Sequence, residues 1–198
     1  MSRLTEQAWT ANQAELLAMA RRLQVASELV HAAAKWRDDS PAALHEWERA
    51  NKEWHEARNA IFGEAFDKSP DPHLAAIRAG DPGAVETAIR FLEADPDCFH
   101  AGYAKERLLR ALKAVVLSPD QARRLRLVMI HAVGDGYRHE LQEWCRLAPS
   151  LDIDEVRADL RQIADGGGDV RDRALWSLDR IDEYIRTRQA IARSMGEA

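Results

Sequence analysis

The sequence predicts an all-α fold: a long N-terminal helical hairpin followed by short antiparallel helix pairs, stacked as an α-solenoid or packed as an irregular bundle. Three observations predict it. Apolar residues recur at steps of three and four, the helical period, with the clearest run from Asp152 to Ile185. Helix starts recur as a capping residue followed by proline, at Ser40-Pro41 and Ser118-Pro119, and Gly80-Asp81-Pro82 marks a further stop and start. No segment shows the period-two alternation or the paired β-branched runs of a strand hairpin.

Taken in order, the first helix is expected from Thr5 to about Trp36, with Thr5 as cap and Leu4 as the apolar residue before it. Its stripe is Trp9, Leu16, Ala20, Leu23, Val30 and Ala34, widened by Met19, Ala26, Leu29 and Ala33. That width suits a bundle better than a two-stranded coil. The second helix starts at Pro41 and is expected to reach about Phe66. Trp47, Ala50, Trp54, Ala57 and Ile61 fall on one face, so small residues alternate with large rings and let a facing helix come close. The two helices form an antiparallel hairpin joined by the polar turn from Arg37 to Ser40.

The prolines of DKSPDP, Asp67 to Pro72, mark the expected domain boundary. Shorter helices follow: His73–Ala79, then Pro82–Ala94 with Val85, Ala88, Ile89 and Leu92 inward. The next runs from Phe99 or Tyr103 to Val116, with Leu108, Leu109, Leu112, Val115 and Val116 as its apolar face. Another runs from Pro119 to Val133, ending in a Gly134-Asp135-Gly136 turn that needs permissive backbone. Tyr137 to Ala148 is expected to bury Tyr137, Leu141, Trp144 and Cys145 before Pro149 breaks it. The last hairpin presents Val156, Leu160, Ile163 and Ala164, then Val170, Ala174, Leu178, Ile181 and Ile185. The domains so defined are a long hairpin over 1–68, a repeat region over 70–188 and a frayed tail over 189–198.

Within 152–185, Asp169-Val170-Arg171 opens a helix carrying Ala174, Leu178 and Ile181 at the spacing of a HEAT inner helix, and the hairpin resembles a HEAT repeat. GDPGAVETAIRFL from Gly80 and the stretch Asp135–Trp144 echo it, while the first two helices lie outside it. The resemblance implies a HEAT-like α-solenoid and an interaction scaffold. Some bacterial HEAT-like proteins are DNA glycosylases for alkylated bases, which makes a nucleic-acid-directed enzyme the alternative the resemblance brings.

The composition is that of a globular chain: 198 residues, 46% apolar and 31% charged. A net charge of −5 argues against non-specific nucleic-acid binding, which needs a concentrated positive field. Two cysteines, Cys98 and Cys145, make no disulfide framework and fit a reducing compartment. MSRLTEQAWT lacks the apolar run of a signal peptide, and no stretch approaches the length of a membrane span, so a cytoplasmic protein is expected.

Catalytic and metal signatures are absent from the sequence, and neither a cofactor nor a metal is expected. The seven histidines include no H-x-H or H-x-x-x-H pair. The densest polar cluster, HEWERANKEWHEA from His45 to Ala57, lacks the Glu-x-x-His step of a di-metal bundle and reads as a solvated face. Cys98 and His100, two apart, do not share a helical face, and Cys145 lies beside Trp144 on a buried one. Gly166-Gly167-Gly168-Asp169 has no lysine and no preceding strand, so it reads as a turn capped by Asp169 rather than a phosphate cradle.

Function is therefore expected in surface recognition: a non-enzymatic helical-repeat protein that binds a protein partner, a second copy included. Four of the six tryptophans, Trp9, Trp36, Trp47 and Trp54, lie in the first two helices, and those left outside the core would anchor an interface. Tyr103, Lys105, Arg107 and Arg110, with Trp176, complete the candidate surface. Two alternatives remain at this stage. One is a nucleic-acid enzyme using Lys105, Arg107, Arg110 and Lys113 with Arg123, Arg124 and Arg126 as a basic groove. The other is a regulatory bundle binding a small ligand in an apolar cavity.

Overall fold

A computed structural model describes residues 4–62, 71–96, 101–136 and 138–196. Among them are ten α-helices, one 3-10 turn and no strand. The helices are α1 (Glu6–Thr10), α2 (Gln13–Ala34), α3 (Pro41–Phe62), α4 (Pro72–Arg78) and α5 (Pro82–Ala94). After them come α6 (Ala101–Leu112), α7 (Pro119–Asp135), α8 (Leu141–Leu147), α9 (Ile153–Ala164) and α10 (Gly168–Gly196), with the 3-10 turn at Ala148–Ser150. None of the described helices is long and apolar enough to cross a membrane. The chain divides into two compact units, Met1–Pro72 with Glu86–Lys105, and His73–Val85 with Glu106–Ala198. The boundary expected within 67–72, together with Phe66, Cys98, Phe99, His100 and Tyr137, falls largely or wholly outside the described residues.

In the first unit the expected single helix from Thr5 to Trp36 is two. Ala11 is extended, and Asn12 restarts the helix with a capping box: its Oδ1 accepts from Glu15 N–H at 3.1 Å, and Glu15 Oε2 accepts from Asn12 N–H at 2.7 Å. The break lets α1 double back. Thr5 Oγ1 caps α1 by accepting from Ala8 N–H at 3.0 Å, and it donates to the Ala60 carbonyl at 2.5 Å. Thr5 N–H donates to the Ile61 carbonyl at 2.8 Å. Two of the carbonyls left open at the end of α3 are thereby satisfied.

α2 and α3 pack against each other. The pair buries Leu16, Ala20, Leu23 and Ala26 of α2 and Ala50, Ala57, Ile61 and Phe62 of α3. Phe62 meets Phe91 of α5 edge to face, with centroids 6.1 Å apart. The alanines at 50 and 57 are buried, while Trp47 and Trp54 are only half-buried.

In the second unit, Asp81 Oδ1 accepts from Ala84 N–H at 2.7 Å and caps α5, just after Gly80 turns the chain at φ +77°. Ser118 and Gln121 form a second capping box at the start of α7, with Pro119 in its first turn. α7 continues through Gly134 and Asp135, so the expected glycine turn begins only at Gly136, at φ 134°. α6 ends at Leu112. Leu108, Leu109 and Leu112 are buried, but Val115 is only half-buried and Val116 is 97% exposed, because the chain has left the helix. Leu141, Trp144, Cys145 and Leu147 are buried on α8.

The last hairpin is the centre of this unit. α10 packs against α7, α8 and α9, so the contacts describe a bundle gathered on one long helix rather than a ladder in which each pair touches only the next. Val156 and Leu160 of α9 and Ala174, Ser177 and Ile181 of α10 are all fully buried. Arg173 donates from Nε to the Val133 carbonyl and from Nη2 to the Gly134 carbonyl, both at 2.9 Å, closing the end of α7. Asp169 lies in the first turn of α10 rather than at its cap. The helix runs on to Gly196, with residues 186–195 all exposed.

Candidate interaction surface

α2 is apolar on two faces. One carries the buried Leu16, Ala20, Leu23 and Ala26. The other, half a turn away, carries Ala14, Ala18, Val25, Leu29 and Ala32 at steps of three, four and seven, and Trp36 follows in the turn after the helix. On and beside this outer stripe Leu17 is 48% exposed, Val25 50%, Leu29 49% and Trp36 63%. A helix that satisfied only its own core would be polar there.

The stripe is bordered by a groove. One stretch, about 1140 Å³, is lined by Leu17, Ala18, Val25 and Leu29 of α2, Glu53 and Glu56 of α3, and Ala94 and Asp95. A second, about 390 Å³, is lined by Leu29, Ala32 and Trp36 against Ala43, Glu46, Arg49 and Glu53. They share Leu29 and Glu53, so the two cavities adjoin along α2. The lining is mixed: apolar side chains of α2 stand beside Arg21, Arg22 and Gln24, and α3 supplies Glu46, Arg49, Glu53 and Glu56. Arg22 of α2 reaches Glu56 at 3.8 Å, an exposed pair that adds little to stability.

The tryptophans expected on the surface divide by depth. Trp36 is open at the C-terminal end of α2. Trp47 is half-buried under the Arg37 guanidinium, 5.3 Å from its ring centroid, and Arg37 also donates to Asp38. Trp54 is half-buried with His55 edge-on at 4.9 Å. Tyr103 is exposed on α6, while Lys105 is 3% exposed, its Nζ 2.5 Å from Asp95 Oδ1. These five residues belong to the first unit, and Arg107, Arg110 and Trp176 to the second. Val25 and its neighbours on the outer stripe were the readable signal that a single core stripe hides: a second set of helical spacings on the same helix.

In the second unit, Glu143 is the most enclosed charge on α8, 2% exposed. Its carboxylate accepts from Arg110 Nε at 3.1 Å, Lys113 Nζ at 2.8 Å and Arg146 Nη1 at 2.5 Å. Burial pushes its pKa up, but hydrogen bonds from Lys113, Arg110 and Arg146 outweigh burial and hold it below the usual glutamate range. A carboxylate so held is fixed as an anion and docks α8 on α6. Arg110 also binds Glu106, whose other oxygen stands 3.2 Å from His139 Nε2. Arg123 pairs with Asp120 at 2.8 Å, and Arg126 with Glu155 at 2.9 Å. Of the basic residues of α6 and α7 and the segment between them, Arg110, Lys113, Arg123 and Arg126 are thus each directed at a carboxylate within the second unit.

Cys145 is buried against α10, and burial pushes its thiol up to about 12, with Ser177, Arg180 and Arg146 acting the other way. At neutral pH it is a thiol and not a nucleophile.

No protein-family model, curated protein or solved structure matches this chain.

Proposed function

We propose that this protein is a non-enzymatic, helical-repeat type of interaction module whose working surface is the outer face of the N-terminal hairpin. The carrying observation is the second apolar stripe of α2, with Val25 and Leu29 on it, Leu17 beside it and Trp36 just past the helix end, each about half or more exposed. Contiguous exposed apolar surface with a polar rim marks an interaction site. Here the rim is supplied by Glu46, Arg49, Glu53 and Glu56. A helix laid into the groove would bury Val25 and Leu29 and meet Trp36 as an aromatic anchor. In this reading the α9–α10 pair is the HEAT-like element, and the bundle around α10 is the support that keeps the chain folded while α2 leaves one face uncovered.

A photo-crosslinking amino acid placed singly at positions 17, 25, 29 and 36 tests this in cells of the native host. Positions 127 and 175, where Leu127 is 52% and Leu175 41% exposed, serve as controls of similar exposure. Polypeptide adducts concentrated on α2 support the reading. Adducts distributed equally between α2 and the controls contradict it.

A further inference from the structure

The outer stripe of α2 contains two charges that the chain does not neutralise. Arg21 and Glu28 are seven residues apart, so they stand on the same side of the stripe, two turns from each other. Both are exposed. Neither has an ionic partner among the described residues; Glu28 accepts only the side-chain amide of Gln24, at 3.3 Å. Between them, at the centre of the stripe, is Val25.

We infer that the outer face of α2 binds the same face of a second copy, antiparallel, about a two-fold axis passing beside Val25. The inference rests on the reading of α2 as the working surface and names its occupant. A two-fold axis midway between residues 21 and 28 sets Arg21 of each copy opposite Glu28 of the other, forming two ion pairs. The same register sets Leu17 opposite Ala32 and lets Val25 meet Val25 at the axis. Alanines at 14, 18 and 32 keep the seam narrow enough for close helix packing. A parallel arrangement would set Arg21 against Arg21 and Glu28 against Glu28, which like-charge repulsion opposes. The stripe is therefore self-complementary in one orientation only, which is what an isologous interface requires.

Sedimentation equilibrium of the full chain tests this with a charge-swap series. The wild type is expected to dimerise. Arg21→Glu and Glu28→Arg are each expected to weaken the dimer by about tenfold or more, since each sets like charges opposite one another. The double variant R21E/E28R is expected to restore it. The register has a second readout in a Cys98→Ser background, where Val25→Cys should form disulfide-linked dimers under mild oxidation. Leu17→Cys should not, because in this register two copies of residue 17 lie about 22 Å apart along the helices. Circular dichroism verifies that each variant keeps its helical content. A wild type that is monomeric at about 100 µM overturns the inference, as does a dimer indifferent to the swaps with no Val25→Cys linkage. A monomer whose photo-crosslinks still concentrate on α2 overturns the dimer while leaving α2 as the working surface. Equal crosslinking at α2 and the control positions overturns that reading itself.

Discussion

Lys113 Nζ lies 2.8 Å from Glu143 Oε2, and that contact, with those of Arg110 and Arg146, encloses a carboxylate that water scarcely reaches. A buried charge of this kind is stable only while its partners are present, and removing one side exposes the full cost of desolvating the other.

Glu143→Ala is expected to destabilise the fold by about 1.5–3 kcal/mol, because charge-assisted hydrogen bonds are lost while the three cations, 24–45% exposed, keep access to water. Urea unfolding at neutral pH measures it. A change within experimental error would mean that the three basic side chains simply turn to solvent.

The same carboxylate sets a pH dependence. Its pKa is held down in the folded state, so its stabilising contribution is complete above the ordinary glutamate pKa of the unfolded chain. The contribution is lost as pH falls from there through the lower, folded value. The stability difference between wild type and Glu143→Gln should therefore be constant near neutrality and shrink below about pH 4.

Asp152 precedes α9 at φ 63°, a left-handed conformation, and its side chain makes no capping hydrogen bond. Asp152→Gly is expected to stabilise the protein by about 0.5–1 kcal/mol by relieving that strain. A loss of stability in thermal unfolding would show that the carboxylate's charge at the helix start outweighs the backbone strain.

Cys145 should resist alkylation in the folded protein even at pH 9, since burial raises its thiol to about 12. Peptide-level mass spectrometry after iodoacetamide treatment, with and without denaturant, measures this. Rapid native-state labelling would show that α8 separates from α10 readily.

Much of the fold was legible because its punctuation is local. Asp81-Pro82 and Ser118-Pro119 mark starts with their own side chains, and α5 and α7 begin where those residues place them. The same kind of signal was present in Asn12 and Glu15, but the continuous apolar periodicity of α2 with the residues before it hid the break. Val116 misled for the opposite reason: it continues a helical spacing, yet none of the described residues covers it. Tertiary pairing is what periodicity lacks. Lys105 meets Asp95, ten residues earlier, a pairing that no helical spacing encodes. The tryptophan-rich hairpin was visible as a place for recognition, whereas the outer stripe through Val25 emerged only once the core had claimed Leu16, Ala20, Leu23 and Ala26 and left the opposite face open.

Hydroxyl-radical footprinting in cells of the native host tests the central claim, that the outer face of α2 is covered when the protein works. Trp36 and Leu29, at 63% and 49%, are about as exposed in the isolated chain as Met195 and Leu127, at 75% and 52%. Measured against the same residues in the unfolded chain, Trp36 and Leu29 are expected to be protected in cells, and Met195 and Leu127 to react freely. In the Val25→Glu variant all four should react freely. Oxidation of Trp36 and Leu29 in proportion to their exposure, unchanged by Val25→Glu, would contradict the account.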